Sequence, residues 1–217
     1  MTPSEQVRRY WETTGAGHTF THPLDTELLT RHVPVEARIL DYGCGYGRLA
    51  AELDALGYLR VCGVDPSAAL VARGRVEHPG LDLRQLDGLP LPFADGEFDA
   101  ALLFAVLTCV PEERVQRETV AELARVVRPG GVLYLSDVPL QHDEYHRARY
   151  EAAAEWAEAY GVFGIEDGGV FRHQDPVGLR VLLAEWGFEV AEEREDPVPT
   201  LSGGVVTRLQ VVARRTG

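Results

Sequence analysis

The chain has 217 residues, and 34 acidic side chains against 21 basic ones leave a formal charge of −13. All of the basic side chains are arginine; lysine is absent. That excludes a Walker-type phosphate loop, Schiff-base chemistry including that of pyridoxal phosphate, protein kinases and Tyr–Lys hydride-transfer dehydrogenases, each of which needs a lysine amine. A chain this acidic repels polyanions, so neither nucleic acid nor an acidic membrane is an expected partner. Cys44, Cys62 and Cys109 are too widely spaced for a disulfide framework or a zinc ribbon, and no metal site is expected. No apolar run approaches the ~18 residues of a membrane span, and the first residues lack a signal-peptide pattern. The expectation is a cytoplasmic protein of one domain over 1–217, monomer or homodimer.

Residues 4–13 carry Val7, Tyr10 and Trp11 at helical spacing, with Ser4 as the predicted cap. Gly15-Ala16-Gly17-His18 breaks that helix. A second is predicted over 24–32, stopped by Pro34, so that 1–34 forms an N-terminal helical cap. From residue 38 strand and helix alternate. Apolar runs at 38–41, 60–64, 81–86, 98–104 and 132–136 read as strands, with helical patterns between most of them. The run 98–104 is nearly all apolar, as a strand buried on both faces must be. This alternation predicts an α/β fold, a doubly wound, Rossmann-like, mostly parallel sheet with helices on both faces, over 35–137. Beyond it lie an Ala-rich helix over 143–160, a Gly-rich break over 161–169 and a helix over 176–186. Segments 188–194 and 205–213 read as a terminal antiparallel pair, closing a C-terminal unit over 176–217.

The sharpest motif is Ile-Leu-Asp-Tyr-Gly-Cys-Gly-Tyr-Gly-Arg, residues 39–48. Its glycines follow a buried strand and precede a helix, where they let the backbone turn tightly and a ligand come close. The helix behind them offers free amide donors. Asp65 and Asp87 end the next two strands, so three strand ends deliver Asp41, Asp65 and Asp87 to the carboxyl edge of one sheet. Ligands of such sheets bind at that edge, and an acid about 20 residues past the first loop holds ribose hydroxyls. Dinucleotide sites read Gly-x-Gly-x-x-Gly. Here Arg48 stands where the last glycine would fall, and Asp41 would repel a pyrophosphate but attract an ammonium. The expected ligand is a nucleoside with a cationic tail.

Residues 38–137 resemble the class I S-adenosylmethionine-dependent methyltransferases, in their type 11-like, small-molecule branch. The resemblance rests on the glycine motif, Val64-Asp65-Pro66-Ser67, the Leu-Asp-Gly-Leu-Pro-Leu-Pro-Phe stretch at 86–93, Phe98-Asp99-Ala100, Val106-Leu107 and Leu-Ala-Arg-Val-Val-Arg-Pro-Gly-Gly at 123–131, in that order. It implies a seven-stranded sheet whose last strand is antiparallel, and S-adenosyl-L-methionine as cofactor. It implies that Asp41, Gly43 and Gly45 cradle the methionine portion and that Asp65 binds the ribose hydroxyls. It places Pro66 against the adenine, Asp87 on the adenine amino group with the Gly88 and Leu89 backbone nearby, and Phe104 on the cofactor from the fourth strand. Many relatives carry a histidine pair after Val-Leu; Thr108-Cys109 stand there instead.

The implied reaction is methyl transfer to a small-molecule acceptor, its nucleophilic atom O, N, S or C. The resemblance further implies a cover over the substrate from 138–175 and an N-terminal cover bringing Tyr10 and Trp11 over the cofactor. With lysine absent, the candidates for a base or a substrate contact are His142, His146 and His173, with Asp137 or Asp143 behind them. His18 and His22 are either solvated loop residues or part of the N-terminal cover. Arg147, Arg149 and Arg172 are candidates for holding a substrate carboxylate, whereas Cys44 and Cys109 read as packing thiols. Two other readings stay open. One is an NAD(P)-dependent oxidoreductase, disfavoured by Arg48 and the missing Tyr–Lys pair; the other is a non-catalytic S-adenosylmethionine-binding protein.

Overall fold

Short apolar runs separated by amphipathic helices fold here as the alternation predicts. The computed structural model describes residues 2–201 and 203–217. The N-terminal helices are α1 (Pro3–Glu12) and α2 (Thr26–His32). The core follows as β1 (Ile39–Tyr42), α3 (Arg48–Ala55), β2 (Val61–Asp65), α4 (Ala68–Glu77), β3 (Asp82–Gln85), β4 (Phe98–Phe104), α5 (Glu113–Val126) and β5 (Val127–Asp137). Then come α6 (Glu144–Ala153), β6 (Val162–Gly164), β7 (Val170–Arg172), α7 (Pro176–Glu185), β8 (Phe188–Pro199) and β9 (Val205–Arg215).

Seven strands form one sheet in the order β3-β2-β1-β4-β5-β9-β8. All neighbours from β3 to β5 pair in parallel, while β9 runs antiparallel to both β5 and β8. The chain steps outward from β1 to β3, then returns to lay β4 on the other side of β1. That reversal opens a crevice at the carboxyl ends of β1 and β4, the place where doubly wound sheets bind ligands. Side chains alternate along the buried strands, so each face of the sheet has its own core. Leu40, Ala101, Leu103 and Leu135 pack with Val120 and Leu123 of α5 and Leu179 and Leu183 of α7. Ile39, Leu102, Phe104 and Tyr134 pack on the opposite face with Leu28 and Leu29 of α2 and Leu49 and Leu53 of α3.

Three local expectations are corrected. The cap of α1 is Thr2, not Ser4: Thr2 and Glu5 form a reciprocal capping box and Pro3 opens the helix. Ser4 instead lies inside the helix, where its amide donates to Glu112. The Ala-rich helix expected over 143–160 ends at Ala153, because Ala157 and Ala159 turn onto Val7, Val162 and Val170 at a spacing no helix face provides. The Gly-rich break that follows holds a hairpin, β6 paired antiparallel with β7. No helix among the described residues is long and apolar enough to cross a membrane.

Candidate functional site

The glycine loop forms as a strand-to-helix turn at the crevice. Gly43 and Gly45 hold φ of +74° and +56°, where a side chain is strained, and neither has room for one. A Cβ at Gly43 would sit 2.5 Å from Val106, and one at Gly45 would overlap the ring of Phe20. The Gly45 amide donates to Asp65 Oδ2 at 2.8 Å, and the Ser67 amide donates to Oδ1 at 2.8 Å. Burial raises Asp65 to about 6, with those two amides pulling the other way. Beside the crevice Ala105 adopts φ of +54°, the one positive φ of a non-glycine among the described residues, as the chain turns sharply out of β4.

Asp41 is the last residue but one of β1 and is only 1% exposed. Its Oδ2 is buried without a hydrogen-bond partner. Burial drives its pKa up to about 7, helped by Asp65 and opposed by Arg48 and the Ala50 amide. A buried, unpartnered carboxylate oxygen at a ligand crevice is a place prepared for a donor that the protein itself does not supply.

The first segment closes over this loop. Glu12 accepts from the amides of Ala68 and Ala69 at 2.7 and 3.2 Å, and Ser67 Oγ donates to the Trp11 carbonyl. Arg73 donates to the carbonyls of Ala16 and His18 and lies 3.8 Å above the Tyr46 ring. The Phe20 ring packs against Tyr46 at a tilt of 37°, with Trp11 edge-on to it. Tyr10 is buried against Trp11, His18 and Phe171. Residues 10–20 are thus a cover pinned onto α4 and the glycine loop; Phe20, its innermost ring, drew no attention in the sequence.

The other expected cofactor residues are placed as follows. Pro66 is exposed beside the buried Asp65. Asp87 and Gly88 are exposed, Leu89 is half-buried, and Asp87 has no hydrogen-bond or ion-pair partner among the described residues. Phe104 points into the α2–α3 core, edge-on to Tyr134 with ring centres 4.9 Å apart.

The histidine candidates separate. His142 is exposed. His146 directs Nδ1 to Asp143 Oδ2 at 2.7 Å, and Asp143 also caps α6 by accepting from the His146 amide. His173 is buried, with Nδ1 2.6 Å from the Tyr150 hydroxyl. Burial first, then the nearby His146 and Arg149, push it down to about 3, so it is neutral. The His146 and His173 rings are 5.5 Å apart, and the Pro139–Gln174 bridge ties this pair to the end of β5. Asp137 is buried there too, accepting from Thr108 and Val138 amides, and burial raises it to about 7. Arg147 is exposed, Arg149 lies 4.0 Å over Phe163, and Arg172 donates to the Pro111 carbonyl. Cys44 and Cys109 have thiols pushed up by burial, which leaves them protonated and inert.

A family description, "Methyltransferase domain", matches residues 40–135. Methyltransferase-like protein 27 of Homo sapiens is 34% identical over 134 residues, 60% of this chain and 52% of that protein. The O-methyltransferase resE of Aspergillus sclerotiorum is 28% identical over 84% of this chain and 68% of its own length. The crystal structure of an S-adenosylmethionine-dependent methyltransferase from Methanosarcina mazei superposes with a TM-score of 0.81 at 26% identity, covering 87% of this chain and 97% of that one.

Residues 40–135 carry the methyltransferase domain, and the fold around them is that of the S-adenosylmethionine-dependent methyltransferases. The chain spans between 42% and 68% of the length of the first curated relatives it matches. The residues fit this family's cofactor: Asp41 offers an unsatisfied carboxylate oxygen beside a loop whose glycines, at positive φ, leave its backbone bare of side chains. In this methyltransferase the sequence reading missed Arg208. It is 2% exposed, pairs with Asp196 at 2.9 Å and donates to the Pro23 carbonyl from β9. The signal was present in 205–213, where Arg208 and Gln210 take inward positions of a strand that is otherwise apolar on that face.

Proposed function

We propose that the chain methylates a small-molecule acceptor through an ionisable hydroxyl, with His146 as the general base. The observation that carries this is the Asp143–His146 pair beside the His173–Tyr150 pair past the end of β5. With Asp143 against Nδ1, His146 keeps its proton on that nitrogen, and Nε2 is left as the proton acceptor. Tyr150 already accepts from the Gln141 amide at 3.2 Å, so its own proton goes to His173 Nδ1. His173, held neutral, then carries its proton on Nε2 and acts as a donor. An acceptor nitrogen and a donor N–H side by side suit a hydroxyl that must be both oriented and deprotonated. S-adenosylmethionine, when bound, supplies an activated methyl group on a sulfonium. Asp41 and the glycine loop hold its amino-acid portion, Asp65 the ribose, and the cover of Tyr10, Trp11 and Phe20 excludes water. The relative named as an O-methyltransferase supports the same acceptor atom.

The test is S-adenosylhomocysteine formation with phenols, amines and thiols of matched size. Phenols are expected to turn over fastest, and His146→Gln to lower kcat by ~10²-fold or more with little change in cofactor affinity. Equal turnover of phenols by wild type and His146→Gln would refute the base assignment, and amines or thiols that turn over faster than phenols would refute the acceptor.

A further inference from the structure

The Nδ1 atoms of His146 and His173 are taken by Asp143 and Tyr150, while neither Nε2 has a hydrogen-bond partner among the described residues. Arg149 follows His146 by three residues on α6 and so shares its face of the helix. Its guanidinium carbon lies 4.0 Å from the centre of the Phe163 ring and 5.3 Å from that of Tyr145. Phe163 in turn packs edge-on against His173, with ring centres 4.8 Å apart. Arg149 therefore belongs to the same cluster as the two histidines. Arg147 and Arg172 do not. Arg147 is next to His146 in sequence and so turns to another side of the helix. Arg172 precedes His173 on a strand, points to the opposite face and donates to the Pro111 carbonyl.

What Arg149 lacks is an anion. It makes no ion pair among the described residues, although acidic side chains outnumber basic ones 34 to 21 in this chain. Asp143, at the head of the same helix, is committed to the His146 ring and amide. Glu151, two residues on, does not share the helix face. Of the guanidinium's N–H groups, one reaches the Gly164 carbonyl, at 3.5 Å. Stacking engages the faces of a guanidinium and leaves its N–H edge free, the edge that meets a carboxylate with two parallel hydrogen bonds. The surroundings of that edge are aromatic. Tyr145 and Tyr160 are 66% and 57% exposed, and Tyr160 stands edge-on to Tyr150, with ring centres 5.2 Å apart. Open aromatic side chains around a free guanidinium edge suit a flat ring that carries a negative charge.

We propose that Arg149 binds a carboxylate carried by the acceptor, which makes the substrates aromatic carboxylic acids, their hydroxyl meeting His146. The proposal rests on the reading of the His146–His173 pair as the acceptor site. Residues three apart on a helix have Cβ atoms about 5–6 Å from each other, close enough for two substituents of one aromatic ring to reach both side chains. The acceptor then supplies the counter-charge that the protein does not, and Arg149 selects for it.

The experiment measures kcat and KM of the full chain on matched pairs, para-hydroxybenzoate against para-hydroxybenzamide and para-hydroxyphenylacetate against its amide. The members of a pair share ring and hydroxyl and differ in charge. Wild type is expected to favour the acid by about 10-fold or more in kcat/KM, the strength of a charge-assisted hydrogen bond, and mainly through KM. Arg149→Met should lower kcat/KM for the acids ~10-fold more than for the amides. Arg149→Lys, which keeps charge without the fork, should retain part of the preference and serves where the Met variant fails to fold. A wild type indifferent to the carboxylate would overturn the proposal. So would an Arg149→Met variant that weakens acid and amide equally, since Arg149 would then only brace α6 on the hairpin. If His146→Gln keeps the wild-type kcat while the acid preference follows Arg149, the base assignment falls and the carboxylate site stands. If amines outpace phenols, para-aminobenzoate and para-aminobenzamide replace the pair and the preference is read on them. A wild type that turns over none of these compounds removes the small-molecule acceptor, and the proposal with it.

Discussion

Asp41→Asn is expected to make this methyltransferase more stable and worse at binding its cofactor. Asp41 is buried and raised from 3.8 to about 7. Between those pH values the unfolded chain carries the carboxylate ionised while the folded chain keeps it protonated. The folded state then binds more protons, so stability falls as pH rises through the window. Between pH 5 and pH 8 the loss from Asp41 alone is on the order of 2 kcal/mol. The variant lacks this term in the pH dependence, whereas Asp137, also raised to about 7, titrates alike in both proteins and cancels from the comparison. For a chain of this size about 1 kcal/mol moves Tm by ~2–4 °C. Thermal melts at pH 5 and pH 8 without ligand should therefore show the Tm advantage of the variant widening by ~4–8 °C. The same variant should bind S-adenosylhomocysteine ~10-fold or more weakly, because the neutral amide no longer meets an ammonium with a charge. A Tm gap that stays flat with pH would refute the claim that Asp41 is strained by burial. Unchanged affinity would refute its place in the site.

Two further substitutions test the site's supports. Gly45→Ala puts a side chain at φ +56° and onto the Phe20 ring, so S-adenosylhomocysteine affinity should fall ~10-fold or more with the far-UV spectrum preserved; an unchanged Kd would show that the loop tolerates a side chain. Arg208→Met takes from Asp196 its ion-pair partner, leaving only the Gln210 amide on that carboxylate, and frees the Pro23 carbonyl; because Asp196 is 36% exposed the cost should be nearer ~2 kcal/mol than the ~3–5 kcal/mol of a fully buried pair, read from the urea midpoint. An unmoved midpoint would mean that β9 does not anchor the N-terminal segment.

The parallel core was readable because each of its units carries a local signature: a buried run, a glycine or proline break, and an apolar helix stripe. The carboxyl edge followed, since a strand's last residue is fixed once its run is. What the sequence concealed depends on contacts between distant segments. β6 and β7 have three residues each, too few to show a period of two, and they form because Gly161 brings the chain against His173, whose amide donates to the Gly161 carbonyl. α6 stops where it does because Ala157 and Ala159 find partners on α1 and the hairpin, which no propensity within 143–160 encodes.

The same division runs through the site. Asp41 and Asp65 are placed by strand ends, so their spacing sufficed. Arg208 is placed by the register of β9 on β5, which sets Ser136 opposite Gln210, and that register is invisible in either strand alone. The three histidines were indistinguishable as letters, yet one local feature does separate them. Asp143 stands three residues ahead of His146 at a helix start, where a capping carboxylate can turn its second oxygen to the side chain of the residue it caps. An Asp-x-x-His at a helix N-terminus therefore carries two meanings, a cap and an oriented imidazole. In this chain both hold at once, so Asp143→Ala should damage α6 and the orientation of His146 together, whereas Asp143→Ser should keep the cap and lose only the hold on the imidazole.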